Sequence, residues 1–311
     1  MSPREQAMVP EVAFESYYGR QILKTPTWKT PDVPLYLFLG GLAGASSVLA
    51  EGAALTGRPD LERVARLAAA GGAAAGTVAL VHDLGRPERF LHMLRVFKPT
   101  SPLSVGSFIL APFSGLSAAA AASLLSGRLP RLGRLAGVGA AAFGPPLATY
   151  TAALISNTAV PAWHEARREL PFVFAASSAA AAGGAATLVT PVDSARVARR
   201  LAVAGGLAEV AATMVMERRL GELGAPYRHG RPAWLMRGAK VCAVAGAGLV
   251  GTGGRRRGLA AAGGVLLVAG SALERWAIFR AGVASAKDPR YTVAPQRRRR
   301  DARARQAAAP A

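Results

Sequence analysis

The sequence predicts an all-α integral membrane protein with about eight transmembrane helices, and three observations carry that prediction. The chain is 51% hydrophobic and only 18% charged over 311 residues. Its charges do not gather on one segment but punctuate long apolar windows. Those windows are continuous, whereas the strands of a membrane barrel alternate apolar and polar over about 10 residues. A composition rich in Ala and Gly with 6% aromatic residues also suits two ordinary soluble cores poorly, although the length would accommodate them.

Taken in order, 33–50, 67–81, 103–127, 135–163, 170–192 and 241–254 each lack Asp, Glu, Lys, Arg and His. The stretches 201–216 and 259–278 are apolar except for Glu209 in the first and Glu274 with Arg275 in the second. A hydrocarbon core about 30 Å thick takes about 20 residues of helix, so most windows fit, some by borrowing flanking residues. The seventh span, 241–254, is short and needs Arg237 and Lys240 to reach toward the interface at its start. Glycine weakens a helix in water by up to about 1 kcal/mol relative to Ala. In lipid the backbone has no other partner, and small residues let helices approach closely. The Gly40–Gly44 and Gly72–Gly76 steps and the pairs Gly183-Gly184, Gly205-Gly206 and Gly263-Gly264 predict such tight packing.

Residues 1–32 form a polar N-terminal segment, interfacial or partner-contacting, without the apolar core of a signal peptide. Residues 33–285 make up the eight-helix membrane domain, and 286–311 read as a basic disordered tail suited to anionic lipid headgroups rather than nucleic acid. Eight spans place both termini on one side, side A, which carries 26 of the 38 basic residues. That total puts side A in the cytoplasm of the cell membrane, whereas the density of charge in the short loops of side B points the other way, so orientation stays open.

The single cysteine, Cys242, excludes an iron–sulfur cluster or a four-thiolate zinc site held by this chain alone. Of the four histidines, His92, His164 and His229 fall in loops and His82 sits at the side A end of the second span. No pair of intramembrane imidazoles exists for a haem, and Met214 and Met216 on an apolar helix read as packing. No metal site is expected.

Ionisable groups inside a membrane are costly and usually line a site or pathway. His82 and Asp83 lie at the side A end of span two, Tyr150 and Asn157 in the side A half of span four, and Glu274 with Arg275 toward side A in span eight. Glu209 lies near the middle of span six, with no countercharge one turn away on its own helix. It must be protonated, paired with another helix or wet. Glu51, near side B in span one, is the exception to this crowding. Glu209, Glu51 and Glu274 together suggest a proton pathway.

The most informative stretch is the loop after span two, HDLGRPERF from His82 to Phe90, followed by SPLSVGSF from Ser101 to Phe108. This pair, with YLFLGGLAGAS from Tyr36, TYTAALISNTAVPAW from Thr149 and ERWAIFRAG from Glu274, resembles the NrfD/polysulfide-reductase membrane-subunit family over roughly residues 30–285. The resemblance implies two four-helix bundles without haem and a quinone, menaquinone or ubiquinone, bound near one membrane face. It also implies docking of an iron–sulfur ferredoxin-like subunit that connects to a molybdopterin oxidoreductase catalytic subunit. Asp83 and Arg86 match the family's loop, and Tyr150 its span-four tyrosine beside the quinone.

The chemistry of the residues points the same way. Quinol oxidation releases two electrons and two protons, so the site needs proton acceptors near the ring and a redox partner on the same face. His82, Asp83 and Tyr150 are the candidate acceptors and hydrogen-bond partners, with Arg86 steadying Asp83. The expected function is therefore a quinone-reactive subunit of an oxidoreductase complex with no complete catalytic centre of its own. Two rivals remain: a proton-coupled secondary transporter, for which Gly144-Pro145-Pro146 would be a helix break, and a passive membrane anchor.

Overall fold

The computed structural model describes residues 22–86, 88–253 and 256–307. Helices α1 (Asp32–Leu55), α2 (Pro59–Asp83), α4 (Pro102–Ser126) and α5 (Pro130–Ser156) form one antiparallel ring, with a short helix α3 (Glu88–Met93) in the α2–α4 loop. Helices α7 (Leu170–Val189), α8 (Arg196–Leu220), α10 (Gly230–Thr252) and α11 (Arg257–Lys287) form a second. Short helices α6 (Pro161–Glu165) and α9 (Ala225–Arg228) serve as connectors. Proline opens α2, α4 and α5, where its fixed φ suits the first turn and its missing N–H has no helical partner to lose.

Among the described residues, seven helices are long and apolar enough to cross a membrane: α1, α2, α4, α5, α7, α10 and α11. The eighth, α8, is as long as its neighbours at 25 residues and packs against both α7 and α10. It falls short in hydropathy because Arg196, Arg199, Arg200, Glu209, Glu217, Arg218 and Arg219 all lie on it. The expectation that the seventh span is short is thereby corrected. Helix α10 begins eleven residues before the charge-free window, at Gly230, and reaches 23 residues, with Lys240 tied to Glu217 of α8 at 2.6 Å rather than extended toward the interface.

Long-range contacts fix which helix ends lie together. At side A, His82 of α2 meets Asp32 of α1 at 2.7 Å, Arg219 of α8 pairs with Glu169 ahead of α7, and Ser285 of α11 accepts the Ala162 N–H at 3.2 Å. At side B, Ser194 donates to Asp60 at 3.2 Å and Arg199 to the Val250 carbonyl at 2.8 Å. Over the side A end of the second bundle the α6 residue Trp163 is fully buried. It donates to the Ile278 carbonyl at 2.8 Å and stacks on Trp28, with ring centroids 5.6 Å apart. The space for its indole exists because residue 282 is glycine. Tyr227 of α9 donates to the Ala162 carbonyl at 3.1 Å, and burial pushes its phenol well above the ordinary range.

Two stretches differ from expectation. Helix α5 runs unbroken through Pro145 and Pro146. Gly144 there packs directly on Ser47 and the Gly44 carbonyl of α1, and Ser47 donates to the Ala140 carbonyl at 3.2 Å. The interruption that would favour a transporter is therefore absent from α5. The tail, read as disordered, is helical as α12 (Arg290–Ala307). Arg298 pairs with Glu222, and Arg290 holds the Asp288 carboxyl below the usual carboxylate range by hydrogen bonds and charge. A groove of about 1090 Å³ lies between this helix and the Gly221–Gly224 turn, lined by Leu220, Leu223, Tyr291 and Val293 among others.

Backbone meets backbone where Gly184 of α7 faces Gly264 of α11: a Cβ at Gly264 would come within 2.6 Å of the Gly184 carbonyl oxygen. Gly264→Ala is expected to destabilise the detergent-solubilised protein by about 1–3 kcal/mol. Gly52→Ala, where nothing lies within 4 Å of the added carbon, should change stability by less than about 0.5 kcal/mol. Thermal unfolding of both variants checks the contrast.

Candidate functional site

Helix α1 is shared by both bundles, packing on α2 and α5 in the first and on α7 and α11 in the second. Its side A turn therefore carries two neighbouring residues with different surroundings. Tyr36 enters the first bundle and Leu37 faces the second.

In the first bundle Tyr36 is 2% exposed, yet its hydroxyl has no hydrogen-bond partner among the described residues. A buried unpaired hydroxyl costs about 1–3 kcal/mol, so such a group calls for an explanation. The ring of Tyr150 on α5 meets it edge-on, with centroids 6.5 Å apart, and is itself only partly buried. Tyr150 lies directly over Gly106 of α4, where any side chain would collide with the ring. One turn before Tyr36 on α1 stands Asp32, which holds the Nδ1 atom of His82 at 2.7 Å. The His82 side chain is 73% exposed. Asp32 and Tyr36, four residues apart, share a face of α1, so the solvent-exposed His82–Asp32 pair sits one turn from the buried phenol.

The remaining predicted residues fall around this site. Asp83 accepts the Lys29 backbone N–H at 2.8 Å, and the Lys29 ammonium donates to the His82 carbonyl at 3.2 Å. The segment before α1 is thereby fastened onto the α2 terminus. Arg86 is exposed on the loop beyond, and Asn157 is exposed at the C-terminal end of α5. Tyr36 and Asp32 were missed by sequence reasoning. A tyrosine in the first turns of a span passes for an interfacial aromatic, and Asp32 stands at the edge of a polar segment.

In the second bundle, Arg275 of α11 is 1% exposed and saturated with partners. It pairs with Glu274 at 2.5 Å, donates to the carbonyls of Phe174 at 2.9 Å and Leu37 at 3.4 Å, and reaches the Ser178 hydroxyl at 3.2 Å. Its guanidinium also lies 3.7 Å from the centre of the Phe174 ring, a cation–π contact. Glu209 of α8 comes into electrostatic range of Glu274 and Arg275. The charges that its own helix does not supply lie on α11, an acid and a base together.

Glu51 belongs to a separate network near side B. It is bound by Arg66 at 2.8 Å and by Arg134 at 3.4 Å, and Arg66 also binds Glu62 at 2.8 Å. The pair is accommodated by Gly137, whose missing side chain leaves room for both groups. A cavity of about 10 Å³ beside it, touching Ser47, Arg66 and Ser117, is about the size of one water molecule. On α1, Glu51 stands ten residues beyond Gly41, the level of the Arg275 cluster, a rise of about 15 Å. Among the described residues no group of three or more His, Cys, Asp or Glu is placed to hold a metal ion.

A family model described as polysulphide reductase, NrfD, matches residues 24–225. The chain belongs to the NrfD family. That membership makes it a membrane subunit of a redox complex. The matched NrfD segment contains the Tyr36–Tyr150 site, the His82–Arg86 loop and Glu209, and ends before α10 and α11, so Glu274 and Arg275 lie outside it. No curated protein matches the chain.

The Glu51–Arg66 pair yields a stability test. Arg66→Met leaves a buried carboxylate with only the half-exposed Arg134, and should destabilise the protein by about 3–5 kcal/mol. Glu51→Gln combined with Arg66→Met should recover most of that loss. A double-mutant cycle of thermal unfolding in detergent measures the coupling.

Proposed function

We propose that the chain is the haem-free subunit through which a redox complex exchanges electrons and protons with membrane quinone or quinol, at the side A end of the first bundle. The observation that carries this reading is the unpartnered Tyr36 hydroxyl, buried against Tyr150, with Asp32, paired to His82, one turn away at the side A end of the same helix. An orphan phenol inside an apolar bundle fits a ligand with a carbonyl on a flat, otherwise apolar ring. Menaquinone and ubiquinone are such ligands, and either supplies two-electron, two-proton chemistry.

In this reading the phenols of Tyr36 and Tyr150 hold the ring oxygens, and Asp83 with Arg86 keeps the loop closed over the site. His82 with Asp32 passes protons to the side A surface. Asn157 would extend the rim. Electrons leave to, or arrive from, an iron–sulfur ferredoxin-like subunit on side A, which connects to a molybdopterin catalytic subunit. Protons move inward along Glu209 and Glu274 and leave by Glu51 at side B. Side A arginines and α12 rest against lipid headgroups.

Purification of the complex from membranes is expected to yield bound quinone and a co-eluting iron–sulfur protein. Tyr36→Phe and Tyr150→Phe should each slow quinone-linked turnover about tenfold, the worth of one hydrogen bond, with folding unchanged. Unaltered turnover in both, with no quinone retained, would mean a passive anchor. Glu209→Gln should leave quinone binding intact and slow proton uptake into proteoliposomes; unchanged uptake removes Glu209 from the pathway.

A further inference from the structure

The sequence separates Glu209 and Glu274 by 65 positions, and the fold buries them within electrostatic range of each other and of Arg275, which pairs directly with Glu274. Both are almost completely buried, at 3% and 1% exposure. Each has a carboxyl oxygen, Glu209 Oε2 and Glu274 Oε1, without a hydrogen-bond partner among the described residues. The Ser177 hydroxyl of α7 lies beside both carboxyls, and its one proton is donated to Ser271 at 2.8 Å. The charge count is two acids against one base. Arg275 is already committed to Glu274, two carbonyls and Ser178, so it cannot serve both carboxylates fully. Leaving an uncompensated charge in a low-dielectric interior costs several kcal/mol. The cluster is short of one positive charge, and two free oxygens are placed to receive it.

We propose that Glu209 and Glu274 act as one unit that holds a single exchangeable proton, making the buried set of two carboxyls and one guanidinium electrically neutral. This deepens the proton-handling part of the function proposed above. It does not depend on the quinone site, which lies in the other bundle. Among the described residues, the surrounding elements offer no competing countercharge. From α1 and α7 come the carbonyls of Leu37 and Phe174 and the hydroxyls of Ser177 and Ser178. Tyr227 of α9 is engaged with the Ala162 carbonyl, and Glu217 of α8 is neutralised by Lys240 of α10. Because Arg275 also holds the Leu37 carbonyl beside Tyr36, the proton-bearing unit is mechanically joined to the α1 turn that carries the first site.

The experiment is infrared difference spectroscopy on the full-length protein in detergent, without added quinone, following the stretch of a protonated carboxyl across a pH titration. The wild type is expected to show one such band from this cluster. Glu209→Gln and Glu274→Gln should each abolish it, because one acid against Arg275 needs no proton. Arg275→Gln should give a second band, because two acids then stand without a base. A band that survives in Glu274→Gln would mean that Glu209 is neutral by itself and overturns the shared unit. A band absent from the wild type, or abolished when sodium replaces potassium, overturns the proton assignment. If Arg275→Gln does not fold, the two near-isosteric glutamine variants decide the matter alone. A negative result here leaves quinone retention and the Tyr36 and Tyr150 measurements untouched, so the two readings fail separately.

Discussion

The guanidinium of Arg275 is the interaction on which the architecture turns. It is buried where α1, α7 and α11 meet, and it satisfies groups on all three helices, including backbone carbonyls of Phe174 and Leu37. A cation at this depth is tolerable only if every donor finds an acceptor. The two four-helix bundles are therefore held in register at this point, since sliding one against the other would strip a buried charge of its partners. The surrounding small residues serve the same end. Gly41 of α1 leaves space for Ser178 and Arg275, and Gly184 and Gly264 bring α7 and α11 into backbone contact.

The same seam explains why polar chemistry gathers in one half of the membrane. Consecutive residues on α1 point into different bundles, so Tyr36 and Leu37 place a phenol site and a carboxyl–guanidinium site at one depth on opposite sides of a single helix. The phenol site has the solvent-exposed His82–Asp32 pair at its side A end, whereas the carboxyl site is enclosed. The Glu51–Arg66–Arg134 network near side B is different in kind, because its acid already has two bases and is a neutralised structural lock.

Much of this could be read without coordinates. Continuous apolar windows specify helices because lipid offers no other partner for the backbone, and every expected span corresponds to a long helix. The HDLGRPERF loop, the span-four tyrosine and the intramembrane Glu209 and Glu274 stood out for their polarity alone. Helix ends were less accessible. The full extent of α10 was hidden because its first turns carry Arg231, Arg237 and Lys240, and α8 because its charges exceed what an isolated span tolerates.

Sequence alone determined the membrane class, the family and the set of rare polar residues from which any site must be built, since these follow from composition and local order. Tertiary structure decided which of those residues meet. Asp32 with His82, Tyr36 with Tyr150, Glu51 with Arg66, and Glu209 with Glu274 and Arg275 are all pairings between different helices. Their partners depend on how helices rotate and pack, which is governed by small-residue contacts and charge compensation across the seam rather than by any pattern along the chain.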